Sequence, residues 1–359
     1  MIDPGETSPP PRLFTSREWL EPAEYVHLLW PEWGASHWHD RFRDLFTDFL
    51  THGKGLFTLT DDPASADFFL PPCGWQDGGS PQALRMADLA AQYGRPMVVF
   101  YNSDFEGLIP IDNALIFRTS ITAANARPNE HAWPAWTCDV LRTYGTGRVE
   151  ARAKSSRPKV GYCGYIDYRN VVERAQRTLR RQIAPWSKLR GEAVRTLAAA
   201  PDINTRFVLR RRFAGNANAM EREEYARNML ACDYALVARG RGNFSYRLYE
   251  AMSAGAIPVF IDTDCRLPFD DVIPYRELFV YVPAQDVHGI VDYVLEFHSK
   301  HETDSLIMHR QRIRAFFDEH LAPLAFHRRL SKLLLNRETT SILFPSTDVY
   351  TTLPHMKRD

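Results

Sequence analysis

Apolar positions along this chain alternate between short continuous runs and longer segments of helical period. Tyr234 to Ala238 is an unbroken apolar run, and Phe244 to Ala254 places Phe244, Leu248, Ala251 and Met252 on one helical face. Gly255 stands where a glycine ends a helix. Ala256 to Ile261 is a second run, continuous enough for a strand buried on both faces. Two such strands joined by a helix predict a parallel βαβ unit. The same alternation predicts a strand from Lys159, helices over 167–183 and 187–199 parted at Pro185, a strand at Arg206–Leu209 and a helix at 222–232. Beyond the central unit it predicts a strand at Leu278–Val282 and helices from Asp286, Thr303 and Pro323.

An earlier series precedes these elements. Glu24 to Trp30 reads as a first strand, and Ser36 as the N-cap of a helix through about Leu50. Ala66–Leu70, Met97–Tyr101 and Ala114–Phe117 read as strands, with a helix at 81–93 opened by proline. Asn125 to Pro134 is polar and reads as a surface loop or as the wall of an acceptor cleft. Tyr144 to Arg157 has hardly any apolar content and reads as a linker. Residues 1–12 hold four prolines and are expected to be disordered. The pattern thus gives a first unit over 13–150, a second over 151–322, and a C-terminal helix and tail over 323–359.

Composition narrows the class. A chain of 359 residues, 45% hydrophobic, can build two ordinary domains. With 44 basic and 44 acidic residues it has no global field for nucleic acid. The five cysteines lie far apart, without metal-ligand spacing, and suit buried free thiols in a reducing compartment. His27, His37 and His39 form no clear ligand set. No apolar run nears the ~20 residues that span a bilayer. The acidic, proline-rich start is unlike a signal peptide, so a cytoplasmic location is expected, with peripheral contact to a membrane-bound acceptor left open.

Candidate chemistry sits where a strand of the central unit delivers Arg239-Gly240-Arg241-Gly242-Asn243 to the start of a helix. Ligands of open parallel sheets bind beyond the carboxyl ends of the strands. Free amides of the loop and helix start attract phosphate, Ser245 among them, and Arg247 on the first turn adds a bidentate charge. Glu250 lies on the same side of the helix and is suited to accept from ribose hydroxyls. The competing reading is an exposed i,i+3 ion pair between Arg247 and Glu250, which would hold no ligand. Gly164, after the strand from Lys159, permits close backbone approach. One of Arg210, Arg211 and Arg212 is placed to meet a diphosphate from the other side. Asp104 and Glu106, at the carboxyl end of Met97–Tyr101, are candidates for a catalytic base, or else Asp104 only shapes a turn. Asp262 and Asp264 read as turn formers, and no Asp-x-Asp metal triplet stands before the motif helix.

The pattern S-x-R-x-x-E-A-x-x-A-G-x-I-P-V followed by L-P-F-x-D resembles the exostosin-like glycosyltransferases of family 47. It is carried by Ser245, Arg247, Glu250, Ala251, Ala254, Gly255, Ile257, Pro258 and Val259, then Leu267, Pro268, Phe269 and Asp271. The resemblance is strong over roughly Cys232–Val282 and looser back to Lys159. Ala256 stands where the family often has cysteine, a change of packing. The resemblance implies a GT-B fold, two Rossmann-like α/β domains facing a cleft. It implies that Arg247 contacts the diphosphate and Glu250 the ribose of a nucleotide-sugar donor. The expected activity is metal-independent transfer of a sugar from a nucleoside diphosphate sugar, UDP-linked on family grounds, to a glycan or other hydroxyl acceptor. No separate cofactor is expected. A nucleotide-sugar epimerase, or a nucleotide-sugar or glycan binding protein without catalysis, would use the same donor pocket.

Overall fold

The computed structural model describes residues 9–21, 23–35, 39–166, 185–210 and 218–336. Eleven strands in these residues form two wholly parallel sheets. The first has six strands in the order β2-β1-β3-β4-β5-β6: β1 Arg12–Phe14, β2 Thr58–Thr60, β3 Phe68–Phe69, β4 Met97–Tyr101, β5 Ala114–Arg118 and β6 Glu130–Ala132. The second has five in the order β11-β10-β9-β7-β8: β7 Lys159–Tyr165, β8 Asn204–Arg210, β9 Tyr234–Val237, β10 Ile257–Asp262 and β11 Val280–Pro283. Every residue of β4, β5 and β9 is buried, as expected of strands covered on both faces. Pro258 lies in β10 before its ladder with β11 opens at Val259, so its missing N–H falls where only β9 is paired.

Helices cover the sheets: α1 Trp30–Trp33, α2 His39–His52, α3 Pro81–Gln92, α4 Val140–Tyr144, α5 Pro185–Ala199, α6 Ala219–Leu230, α7 Tyr246–Ser253, α8 Tyr275–Leu278, α9 Ile290–Ser299, α10 Thr303–Phe316 and α11 Pro323–Leu335. Gly255 follows α7 with φ +62, the left-handed conformation that glycine adopts without cost. The fold is therefore α/β with two Rossmann-like halves, consistent with GT-B.

Several expectations need correction. Glu24–Trp30 is not a strand: Tyr25 makes one antiparallel bridge to Cys73, then His27–Leu29 turns as a 3-10 segment into α1. Pro31 explains this, since proline is tolerated in a first helical turn. The expected disorder over 1–12 ends too late, because Arg12 already pairs with Thr58 in β1. Glu130–Ala132, expected as loop, is edge strand β6. The cap of α10 is Glu302, in a reciprocal box with Ser305, rather than Thr303. Ser36, the helix expected over 167–183, and Arg211 and Arg212 lie outside the described residues.

One apolar core runs through both halves. The last helix among the described residues, α11, returns to the first half. There His327 stacks on Phe49 at 4.0 Å between centroids, and the Ser331 hydroxyl donates to Leu56 O at 2.9 Å. Trp136 Nε1 donates to Leu321 O at 2.7 Å, where Phe317–Leu321 bulges into a π turn between α10 and α11. The stretch 145–158 between the sheets has no regular structure but is tied down. Arg152 pairs with buried Asp233 at 3.1 Å, Lys154 Nζ donates to His301 O, and Arg310 donates to both Glu150 O and Gly255 O. No helix among the described residues is long and apolar enough to cross a membrane.

The first half also encloses histidines among aromatic rings. His27 is ringed by Trp30, Phe46, Trp133 and Trp136. Burial, and then repulsion from His327, push its pKa down to about 3. Burial likewise pushes His327 down to about 4. The unfolded chain therefore binds more protons than the folded one below about pH 6.5. Stability from these two neutral histidines should be complete above that pH and fall by about 1.4 kcal/mol per pH unit for each as pH drops towards 4. Denaturant unfolding at pH 7, 6 and 5 measures this slope, and replacing His327 with Phe should make it shallower.

Candidate active site

The site is built where the carboxyl ends of β7 and β9 meet the start of α7. Ser245 is the N-cap, in extended conformation, and its side chain makes no capping bond. The first amides of any helix lack intrahelical acceptors, so this end carries partial positive charge. Arg247 follows on the first turn. Its Nη2 donates to Cys163 O at 2.7 Å and its Nε to the Tyr225 hydroxyl at 3.2 Å. The guanidinium lies over the Tyr162 ring at 4.3 Å. Burial opposes its charge, but Tyr225 and Tyr162 outweigh that and hold its pKa above the usual arginine value. A Cβ on Gly164 would stand 2.8 Å from Arg247 Nη2. Glycine there is what lets the guanidinium rest against β7.

Glu250 points to the same group from one turn further. Its Oε1 accepts from the Thr137 hydroxyl at 2.6 Å, and its Oε2 accepts from Tyr225 Oη. Arg247 and Glu250 are thus not directly paired: the Tyr225 hydroxyl stands between them, accepting from one and donating to the other. Tyr225, on α6, and Thr137 carry no motif signal. Their roles depend on a helix and a loop distant in sequence.

A second group surrounds Asn243, which is fully buried. Its Nδ2 donates to Thr122 Oγ1 at 2.9 Å and Thr263 O at 3.1 Å, and its Oδ1 accepts from Thr263 Oγ1 at 2.6 Å. Its backbone N–H donates to Ser120 Oγ at 2.8 Å. Asn243 therefore joins the loop after β5 to the loop after β10, and its side chain is spent within the protein. Backbone bonds from Ala123 N to Asp264 O, 2.7 Å, and from Arg266 N to Ile121 O, 3.0 Å, close the same seam.

The first-half carboxylates meet this seam differently. Asp104 is exposed, and its Oδ1 accepts from Gly242 N at 3.0 Å. Glu106 accepts from Ser120 Oγ, Thr122 Oγ1 and Thr122 N at 3.0–3.1 Å. Three donors make Glu106 a brace for the loop. Arg118, paired with Glu130 at 2.7 Å in the interior, holds that loop by donating to Phe105 O and Gly107 O. Gly240 N donates to Phe244 O at 2.8 Å, which folds the basic loop back on itself.

The arginines divide by partner. Arg210 pairs with Glu224 at 2.8 Å and donates to Glu221 O, bracing α6. By contrast Arg190, unnoticed in the sequence, donates to Arg239 O at 2.7 Å and Tyr165 O at 3.4 Å. Arg239 donates to Arg241 O at 3.2 Å, and its buried Nε has no partner. Burial lowers its pKa. Among the described residues, none of Arg190, Arg239 and Arg247 is ion-paired with a carboxylate. Three guanidiniums bonded to carbonyls and a hydroxyl, at one pair of strand ends, leave positive charge for an anion.

Asp262 and Asp264 form a turn: Asp262 Oδ1 accepts from Asp264 N at 2.9 Å, and Asp264 has φ +60. Asp264 Oδ2 accepts from Ala124 N at 2.9 Å. Among the described residues no group of three or more histidine, cysteine or carboxylate side chains is gathered to hold a metal ion.

Two parallel sheets meeting at their carboxyl ends, with a basic helix start at the junction, define an α/β protein of the GT-B type. Residues 180–296 match the Exostosin GT47 domain. Similar plant proteins include the probable glucuronosyltransferase GUT1 of Oryza sativa subsp. japonica, 40% identical over 65 residues, 18% of this chain and 16% of that protein. The probable beta-1,4-xylosyltransferase IRX10 of Arabidopsis thaliana is 41% identical over 63 residues, 18% and 15% of the two chains. A further Oryza sativa subsp. japonica protein, the probable glucuronosyltransferase Os03g0107900, is 34% identical over 87 residues, 24% and 18%. The chain thus covers less than a fifth of each of these relatives.

Replacing Asn243 with Ala should cost about 1–3 kcal/mol, the range for buried groups left unsatisfied. Chemical denaturation reads the loss directly. Unchanged stability would mean that the seam does not depend on the carboxamide.

Proposed function

We propose that this protein transfers a sugar from a nucleoside diphosphate sugar, UDP-linked, to a hydroxyl of a glycan acceptor. The observation that carries this reading is the set of three arginines without carboxylate partners, Arg190, Arg239 and Arg247, at the carboxyl ends of β7 and β9. Two negative charges develop on a departing diphosphate. Arg247, the helix start and the Gly240–Ser245 loop would meet them, which is leaving-group stabilisation without a metal ion. Glu250 would read the ribose, sharing its oxygens with Thr137 and Tyr225. The names of the plant relatives, glucuronosyl- and xylosyltransferases, support a sugar nucleotide as donor. The test is UDP release measured in EDTA, with and without an oligosaccharide acceptor. Release that needs the acceptor supports transfer, whereas release without it indicates a hydrolase and no release a binding protein. Arg247→Ala should weaken UDP binding by about 1.5–3 kcal/mol, the range for a hydrogen bond to a charged group. Calorimetry showing unchanged affinity would remove Arg247 from the donor site.

An inverting transfer needs a base for the acceptor hydroxyl. Glu106 has its carboxylate filled by three donors, so the role falls to Asp104, which accepts one backbone bond at the junction of the halves. Asp104→Asn should lower turnover by about 10²–10⁴ with UDP affinity near wild type. Parallel loss of turnover, affinity and stability would make Asp104 a structural residue instead.

A further inference from the structure

We infer that Tyr225 is a positioning residue of the donor site: its hydroxyl sets the guanidinium of Arg247 and the carboxylate of Glu250 relative to each other. This inference rests on the donor-site reading above. Arg247 and Glu250 sit one turn apart on α7, and left alone they would pair directly, as neighbours at this spacing do. A direct pair would neutralise the charge meant for a diphosphate and occupy the carboxylate meant for a ribose. Tyr225 prevents this by standing between them. It accepts from Arg247 Nε at 3.2 Å and donates its single proton to Glu250 Oε2. Its ring also lies 5.3 Å from the guanidinium.

The other contacts fix where each group can go. Arg247 Nη2 is held by Cys163 O at 2.7 Å, and the space for it exists because residue 164 has no Cβ. Glu250 Oε1 is held by Thr137 at 2.6 Å. Arg247 is thereby anchored to β7 and Glu250 to the segment leading into α4, and among the described residues the group bonded to both is the Tyr225 hydroxyl. Tyrosine suits this place because a hydroxyl can accept and donate at once. Burial, and then the charge of Glu250, push its pKa up, so the proton remains on the oxygen.

Tyr225→Phe keeps the ring over the guanidinium and deletes only the hydroxyl. UDP affinity should fall about tenfold by calorimetry, with the thermal midpoint near wild type. Glu250→Gln added to Tyr225→Phe should cost clearly less than Glu250→Gln alone, because the two act as a unit. The Arg247 Nε–H resonance, assigned by its loss in Arg247→Lys, should shift and exchange faster in Tyr225→Phe. Unchanged UDP affinity, or losses that multiply independently, would overturn the positioning role. If the wild-type protein binds no UDP, the donor reading fails by itself. The resonance then decides: a shifted and faster-exchanging Arg247 Nε–H keeps Tyr225 as the group that orders the arginine, and an unmoved one rejects it.

Discussion

The two halves are held carboxyl end to carboxyl end by a buried carboxamide. Asn243 spends its side chain on Thr122 from the first half and Thr263 from the second. The loops that meet at the strand ends are ordered around that constraint. It fixes the loop after β9, so Gly242 lies against Asp104 so closely that a Cβ there would come within 2.8 Å of its Cα. It fixes the approach of the loop to α7, and with it where the arginines stand. A polar group chosen for this place has a physical logic. An apolar side chain would fill the space but could not satisfy the carbonyl and hydroxyls that the loops present.

Around that node the electrostatics are uneven. Of the first-half carboxylates near the junction, Glu106 is filled by donors and Glu130 is committed to the interior Arg118, while Asp104 takes one backbone bond. Arginines of the second half that face the strand ends are held by carbonyls. Neutral acceptors orient a guanidinium without cancelling its charge, which an ion pair would do. The protein thus keeps positive charge at the strand ends while satisfying the hydrogen bonds that burial demands.

The fully buried strands were legible in sequence because a continuous apolar run permits little else. Met97–Tyr101, Ala114–Phe117, Tyr234–Ala238 and Ala256–Ile261 all sit in the sheets within a residue or two of the expected bounds. The shortest strands were not legible. Arg12–Phe14 and Glu130–Ala132 are three-residue strands set by pairing with β2 or β3 and with β5, and three residues carry no period. In the site, Arg247 and Glu250 could be picked out because they share one helix with a recognisable pattern. Tyr225, Thr137 and Arg190 reach the same place from α6, a loop and α5, and only tertiary folding brings them there. Asn243 was legible as a residue at the strand end, yet its side chain serves the junction. A single sequence cannot separate a buried asparagine from an exposed one.

The stretch between the sheets reads as a linker by composition, yet it is bound along its length. Arg152 reaches Asp233, Lys154 reaches His301, and Arg310 grips Glu150. Beyond it, Asp139 takes both nitrogens of Arg314, and α11 crosses back to lie on α2. Covalent continuity through residues 145–158 is therefore not what keeps the halves together. A single proteolytic nick in that stretch would leave two fragments clasped by the seam, the Asp139–Arg314 fork and the returning helix. They would co-elute until denatured.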